Sequence, residues 1–132
     1  MAQDKETGIY YFDIAKSKTN SGVRQVPIHK NILERVLKID FPILKDKTDD
    51  AAQKVVLRQL YRIVQKSNGK TFHSFRGTFI EKCIKEHPRD ILAIQEIIGH
   101  SKEDSKKLTI DTYGKGFPLD YKRNILDSVS YS

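Results

Sequence analysis

The hydropathy pattern of this 132-residue chain changes period near Pro27, and that change constrains the fold more than any other feature. Before it, residues 9–14 and 23–28 are rich in aromatic or β-branched side chains, which predicts two β-strands. The residues between them, 16–22, read Lys-Ser-Lys-Thr-Asn-Ser-Gly and are typical of a turn. The pattern therefore predicts an antiparallel β-hairpin over residues 9–28 with a basic tip. Because proline cannot donate to a neighbouring strand, Pro27 predicts that the second strand ends there or lies at a sheet edge.

After Pro27 the apolar residues recur at the spacing of amphipathic helices. The single cysteine, Cys83, lies in such an apolar run and is predicted to belong to the core. Residues 1–8 are polar, and we expect them to be frayed. The predicted fold class is mostly α (α+β), with one domain, a helical core over residues 30–130 and a small antiparallel β-hairpin near the N-terminus. Helices are predicted over residues 31–39, 50–66, 89–98 and 118–129, with another from residue 71 to the residue before Pro88 and a short helical turn over 108–113.

Composition and charge limit the possible partners. The chain is 38% hydrophobic and 31% charged, which fits a globular protein and excludes a disordered one. Its net charge of +7 favours a polyanionic partner, most commonly nucleic acid. No stretch is long and apolar enough for a membrane span or signal peptide, so we expect a cytoplasmic protein without a membrane partner. The histidines and the cysteine lack metal-ligand spacing, so no metal or other cofactor is predicted, and His29 and His87 are interpreted as surface residues.

The strongest chemical signal lies in residues 71–76, Thr-Phe-His-Ser-Phe-Arg. His73 and Arg76 are three residues apart at the start of an apolar-periodic run, so both lie on one face of a helix. A guanidinium is planar, always charged and able to bond two phosphate oxygens at once. An imidazole titrates near neutral pH and can move protons. The pair suits a phosphate that is being attacked or released, although a surface histidine beside a surface arginine would look the same.

Other phrases occur in a fixed order around this pair. A lysine at the hairpin tip, Lys18, precedes it. Residues 97–101 (Ile-Ile-Gly-His-Ser) follow it, where a glycine is predicted to end a helix. Residues 111–116 (Asp-Thr-Tyr-Gly-Lys-Gly) come last. Each phrase is modest, but the ordered set resembles the catalytic domain of the tyrosine recombinases, the phage-integrase family, from about Ile9 to the C-terminus.

The resemblance implies a mechanism. Members of the family break DNA one strand at a time and rejoin it through a 3′-phosphotyrosine and a free 5′-hydroxyl, without ATP or a metal. In this sequence Tyr113 matches the nucleophile, and Arg76 matches the arginine that clamps the non-bridging oxygens. His73 matches a proton acceptor or donor, His100 a hydrogen-bond donor to a phosphate oxygen, and Lys18 the hairpin lysine that protonates the leaving oxygen. A phenol ionises near pH ~10, so it needs such help at neutral pH.

The resemblance also implies partners. These are duplex DNA at attachment sites and other integrase protomers bound there, in a bacterial or phage-encoded protein. Lys16 lies two residues from Lys18 and is an alternative for the hairpin lysine that protonates the leaving oxygen, although the Lys-Thr phrase favours Lys18. If Tyr113 is not the nucleophile, Tyr121 is the next candidate. The predicted DNA-binding residues are Lys16, Lys18, Arg24 and Arg76.

One part of the family pattern has no match. The family carries a first catalytic arginine in a Thr-Gly-x-Arg phrase ahead of the hairpin, and nothing before Ile9 resembles it. We therefore expect the chain to be the C-terminal part of a longer integrase and to cleave DNA poorly or not at all by itself, unless another cation, Arg24 first, takes that position. We also expect apolar surface from Ile9, Tyr11, Ile32 and Val36 to be open to water.

Two other classes fit the same signals. A non-catalytic DNA-binding remnant would keep the charge and the fold but cleave nothing. A type IB topoisomerase-like enzyme would share the nucleophile and the clamp but relax supercoils instead of exchanging partners. The Gly-His-Ser phrase and the short hairpin favour the recombinase.

Overall fold

The structure of the chain, a computed structural model, describes residues 1–16, 22–41, 43–64, 69–99 and 116–131. Within these ranges it contains five α-helices and one three-stranded antiparallel sheet near the N-terminus. The predicted class, mostly α with a small antiparallel sheet, is confirmed. None of the helices in these ranges is long and apolar enough to cross a membrane.

The predicted hairpin forms the larger part of the sheet. Strand β2 (Tyr10–Ile14) pairs antiparallel with strand β3 (Arg24–Pro27), with Ile14 opposite Arg24 and Tyr11 opposite Pro27. Strand β3 lies at the edge of the sheet and ends at Pro27, as the missing amide hydrogen of proline requires. The hairpin therefore fixes Arg24 at the start of an edge strand, where its side chain can reach the helices.

A third strand, β1 (Ala2–Gln3), pairs with β2, so the expectation that residues 1–8 are frayed is wrong. The turn that follows β1 is held by Asp4, whose Oδ2 accepts a hydrogen bond from the Thr7 amide at 2.8 Å. Gly8 closes the turn at a φ of 71° and donates its amide hydrogen to the Asp4 carbonyl at 2.9 Å. Hydrogen bonds within this turn thus order residues 1–8, although apolar and polar residues do not alternate in this segment.

The helices begin and end close to the predicted positions. Gly99 ends the fourth helix with a left-handed φ of 67°, and the third ends at the residue before His87, ahead of Pro88. Thr48 caps the second helix, because its Oγ1 accepts a hydrogen bond from the Ala51 amide at 3.4 Å. The helical turn predicted over residues 108–113 lies outside the described residues. The helices are α1 (Lys30–Leu37), α2 (Asp49–Ile63), α3 (Phe72–Glu86), α4 (Ile91–Ile98) and α5 (Leu119–Ser128).

The main core lies between α3, α4 and α5, with β3 packed against them. Cys83 is fully buried there, which confirms the sequence prediction. Helix α2 is peripheral, since it buries only Leu60 and leaves Ile63 85% exposed. The residues of the main core cluster are Cys83, Ala93, Ile94, Ile97, Ile125, Leu126 and Val129.

The expected open apolar surface near the hairpin is present at Ile32, absent at Ile9 and Val36, and partial at Tyr11, which is half-buried. Ile9 is 3% exposed and Val36 is 8% exposed, although Ile32 is 47% exposed as expected. The N-terminal turn folds back on Ile9, whose carbonyl accepts a hydrogen bond from the Asp4 amide at 2.9 Å. The expectation was therefore wrong for Ile9 because it treated the first eight residues as unstructured, and wrong for Val36 because that residue lies on the buried face of α1.

The two histidines interpreted as surface residues are half-buried and hold the end of α5. His29 Nδ1 accepts a hydrogen bond from the Asn31 amide at 3.0 Å, which caps α1 and leaves Nε2 to donate to the Val129 carbonyl at 3.1 Å. His87 lies between Asp90 Oδ2 at 3.2 Å and Ser128 Oγ at 2.8 Å. The Ser128 hydroxyl donates to the Ile125 carbonyl at 2.7 Å, so this array anchors a helix end and does not activate a nucleophile.

One charged side chain is buried at the centre of these contacts. Lys122 is 2% exposed, and its Nζ donates to Glu96 Oε1 at 2.9 Å and to the Gln25 carbonyl at 2.8 Å. These bonds join α5 to α4 and to β3. Because the ammonium is paired and hydrogen-bonded, its burial is tolerated, whereas loss of the Glu96 carboxylate would leave an uncompensated buried charge.

We predict that Lys122→Met lowers the free energy of unfolding by about 3 kcal/mol, because it strands the Glu96 carboxylate and the Gln25 carbonyl. Urea unfolding measures the change. The matched control is Lys45→Met, which breaks the exposed pair with Asp40 and should cost less than about 1 kcal/mol. Equal effects of the two substitutions would contradict the assignment of Lys122 as a buried ionic anchor.

A second prediction concerns alkaline pH. Burial raises the pKa of the Cys83 thiol from its ordinary value of 9.0 to about 11. Between these values the unfolded chain loses a proton that the folded chain keeps, so the free energy of unfolding should fall as pH rises through this window, by at most about 2.7 kcal/mol from this group. Cys83→Ala should lack that part of the decline in urea unfolding at pH 8 to 11. The prediction is wrong if both proteins lose stability with the same slope.

Candidate phosphate site

The N-terminal turn of α3 displays the residues that carried the strongest chemical signal. Ser74 Oγ accepts a hydrogen bond from the Thr71 amide at 3.0 Å, which fixes the start of the helix at Phe72. His73 and Arg76 therefore lie one turn apart on the first two turns, as the sequence predicted. His73 is exposed and Arg76 is half-buried. An imidazole and a guanidinium thus stand beside the helix terminus whose free amides favour anions.

Arg24 approaches from the sheet. Its Nε donates to the Ile97 carbonyl at 2.9 Å and its Nη1 donates to the Gly22 carbonyl at 2.7 Å. Gly99 packs so closely on this group that a Cβ there would lie 2.5 Å from Nη1. The Arg24 guanidinium therefore closes the C-terminal end of α4, where positive charge is favourable.

The positive charge of Arg76 acts on Arg24. The pKa of Arg24 is lowered, first by burial and second by the positive charge of Arg76. In the part of the chain that the structure describes, neither arginine forms an ion pair with a carboxylate. Two neighbouring cations without a carboxylate between them are relieved by a bound anion, and the guanidinium fork fits a phosphate. The ion pairs of the described residues are Lys45–Asp40, His87–Asp90 and Lys122–Glu96.

The structure brings part of the predicted site together. Arg24, Arg76 and His73 belong to one region at the junction of β3, α3 and the end of α4. Lys16 is exposed just beyond the end of β2. The remaining three predicted residues, Lys18, His100 and Tyr113, lie outside the described residues. Among the residues within the described ranges, no group of three or more His, Cys, Asp and Glu side chains could hold a metal ion.

Tyr121, the alternative nucleophile, lies in an unsuitable environment. Its hydroxyl donates to Asp90 Oδ1 at 2.5 Å, and this bond, together with burial and the charge of Asp90, raises its pKa. Its ring stacks on Phe117 with centroids 5.7 Å apart. Tyr131 also has a raised pKa, chiefly because of burial. A phenol beside a carboxylate resists ionisation, so Tyr121 is a poor nucleophile.

Sequence reasoning missed a carboxylate that holds the chain just after the Tyr113 phrase. Glu96 Oε2 accepts a hydrogen bond from the Phe117 amide at 2.9 Å, while Oε1 accepts from Lys122. Gly116 has a φ of 74°, and a Cβ at this position would lie 2.4 Å from Glu96 Oε1. The glycine of the phrase was the available signal, because a position that needs positive φ and close packing favours glycine.

Comparisons with known proteins add no assignment. A scan against protein-family models, a search of curated proteins and a search of solved structures each found no match. The likeness to tyrosine recombinases therefore depends on the ordered phrases of this sequence alone. Membership of that family stays a prediction.

We predict that inorganic phosphate stabilises the chain through Arg76. At a phosphate concentration ten times its dissociation constant, linkage should raise the free energy of unfolding by about 1.4 kcal/mol. Thermal unfolding with phosphate, compared with chloride at equal ionic strength, measures the gain. Arg76→Gln should remove it, whereas Arg62→Gln on the exposed face of α2 should keep it. An unchanged phosphate effect in Arg76→Gln would place the anion elsewhere.

Proposed function

We propose that the chain is catalytic-domain sequence of a tyrosine-type site-specific DNA recombinase, acting on duplex DNA together with other protomers. The observation that carries the proposal is the cation pair Arg24 and Arg76, with His73 one turn from Arg76 and no carboxylate paired with either arginine among the described residues. Such a pair suits a substrate that brings its own negative charge. The +7 net charge supports a polyanion, and the ordered phrases support a phosphodiester that is cleaved.

The proposed reaction is a reversible phosphoryl transfer. The Tyr113 phenol oxygen forms a bond to phosphorus as the bond to the 5′-oxygen breaks, which leaves a 3′-phosphotyrosine. His73 accepts the phenol proton, and Lys18, or Lys16, gives a proton to the leaving 5′-oxygen. Attack by a 5′-hydroxyl of a partner strand reverses these steps and releases the tyrosine. One phosphodiester bond replaces another, so no external energy source is needed.

Charge stabilisation is the task of the arginines. Negative charge builds on the non-bridging oxygens in the transition state, and preorganised donors at that position lower the barrier. Arg76 offers a guanidinium from the helix, and Arg24 offers one whose orientation is fixed by the carbonyls of Ile97 and Gly22. His100, which follows Gly99 in the sequence, is proposed to donate a further hydrogen bond. Because Arg24 is already fixed, it loses little freedom when a phosphate binds.

Binding to DNA is proposed to depend on phosphates more than on bases. The positive side chains that carry the proposal are suited to the backbone, which has no sequence information. Affinity for duplex DNA should fall steeply as salt rises, because each neutralised phosphate releases counterions. A non-catalytic DNA-binding module would bind in the same way, so binding alone does not separate it from a recombinase.

Covalent trapping on a nicked duplex tests the proposal, because loss of the short cleaved strand prevents religation. We propose that Arg24 takes the position of the unmatched first arginine of the family pattern, and we therefore predict that wild-type protein forms a covalent DNA adduct on a denaturing gel. Tyr113→Phe should abolish the adduct and leave the DNA dissociation constant unchanged, because only one oxygen is removed. The matched control is Tyr121→Phe, which should keep the adduct because Tyr121 is held by Asp90.

Three outcomes would contradict the assignment. An adduct that survives Tyr113→Phe would move the nucleophile to another residue. A gel shift without any adduct from wild-type protein would indicate a DNA-binding module. An adduct accompanied by relaxation of supercoiled DNA, without strand exchange between two sites, would indicate a topoisomerase-like enzyme.

A further inference from the structure

The carboxylate of Glu96 is held at both oxygens. Oε1 accepts a hydrogen bond from Lys122 Nζ at 2.9 Å, and Oε2 accepts from the Phe117 amide at 2.9 Å. Lys122 is in turn fixed by the Gln25 carbonyl at 2.8 Å. A carboxylate with two donors in place has little freedom to rotate, so it is a rigid point to which the backbone at Phe117 is attached.

Gly116 packs against the Glu96 carboxylate, where a residue with a side chain would collide. A Cβ on Gly116 would lie 2.4 Å from Glu96 Oε1 and 2.9 Å from its carboxyl carbon, closer than non-bonded atoms approach. The φ of Gly116 is 74°, a conformation that residues with a Cβ rarely adopt. Phe117 is then packed against the core cluster and stacked on Tyr121. The backbone at residues 116–117 is therefore fixed from both sides.

The same short stretches also fix Arg24. Arg24 and Gln25 are neighbours on β3, and Glu96 and Ile97 are neighbours on α4. Arg24 donates to the Ile97 carbonyl at 2.9 Å, and Gln25 accepts from the lysine that pairs with Glu96. The Arg24 guanidinium and the Glu96 carboxylate thus share one frame, built from two residues of a strand and two of a helix.

We propose that Glu96 is a positioning residue for phosphotyrosine formation, because it fixes the backbone of residues 116–117, which follow Tyr113 in the sequence, relative to Arg24. This inference rests on the proposed function. Tyr113 precedes Gly116 by three residues, and three residues span at most about 10 Å. Displacing the anchor at Gly116 is therefore proposed to displace the nucleophile. Glu96 itself touches neither the phosphate nor the phenol in this scheme.

A purely structural ion pair would have a different signature. If Glu96 only stabilised the fold, its loss would lower the free energy of unfolding, and the folded fraction would still cleave DNA at the wild-type rate. If Glu96 positions the nucleophile, its loss lowers the rate of the chemical step in fully folded protein bound to DNA. The rate at saturating DNA and the dissociation constant therefore separate the two roles.

The experiment uses single-turnover trapping on nicked duplex DNA at saturating concentration, with affinity measured by fluorescence anisotropy. Glu96→Gln and Gly116→Ala are the test variants, because the first weakens the anchor and the second forces the backbone away from it. Gly8→Ala is the matched control. Gly8 has a similar φ of 71°, but a Cβ there would meet only Gln3 Nε2 at 3.9 Å, far from the carboxylate.

We expect the trapping rate to fall about 10²-fold in Glu96→Gln and Gly116→Ala, since a displacement of about 1 Å can cost that much. Their dissociation constants should stay within about twofold of wild type, because the arginines remain. Gly8→Ala should trap at the wild-type rate once its folded fraction is measured by circular dichroism. If Glu96→Gln does not fold, Gly116→Ala, whose glycine is exposed, decides the question.

Two results would overturn the inference, and they are distinguishable. Wild-type protein that traps DNA, with Glu96→Gln and Gly116→Ala trapping equally fast per folded molecule, would remove the positioning role and leave the proposed function in place. Wild-type protein that binds DNA but traps none would remove the proposed function, and the inference with it.

Discussion

The buried ion pair between Lys122 and Glu96 is the interaction on which the arrangement of this chain depends. An ammonium that is 2% exposed is costly to place in a protein interior, and it is tolerated here because a carboxylate and the Gln25 carbonyl surround it. A hydrophobic residue would fill the same space with less constraint on direction. The ionic contact has a fixed geometry, so it sets the relative positions of β3, α4 and α5. Strand β3 carries Arg24 of the candidate site, whereas His73 and Arg76 lie on α3.

Arg24 and Arg76, in contrast to this ion pair, carry like charges. The fold holds Arg24 by two carbonyls and a closely packed glycine, and it places Arg76 near enough to lower the pKa of Arg24. Like charges at close range cost free energy, and a ligand of opposite charge would relieve that cost. The Lys122–Glu96 pair shares β3 and α4 with the contacts that hold Arg24.

The sequence predicted what short-range chemistry determines. Pro27 and Gly99 marked the ends of a strand and a helix correctly, because a missing amide hydrogen and a left-handed φ act within a few residues. The His73–Arg76 spacing also predicted one helical face. The link from Lys122 to β3 was not predictable in this way, because it joins residues 97 positions apart in the sequence. Its spacing from Ile125, Leu126 and Val129 places Lys122 on the apolar face of α5, but the local pattern does not identify its partners.

The histidines were misread for the same reason. His29 and the Val129 carbonyl are 100 residues apart, and the Lys30 amide meets the Asp127 carboxylate across 97 residues. During synthesis at about 5–20 residues per second, His29 therefore waits on the order of 5–20 s before its partner leaves the ribosome. During that time the start of α1 and the edge strand β3 lack their hydrogen-bond partners from the end of the chain. The native arrangement thus closes late, and the hairpin edge must avoid other strands until it does.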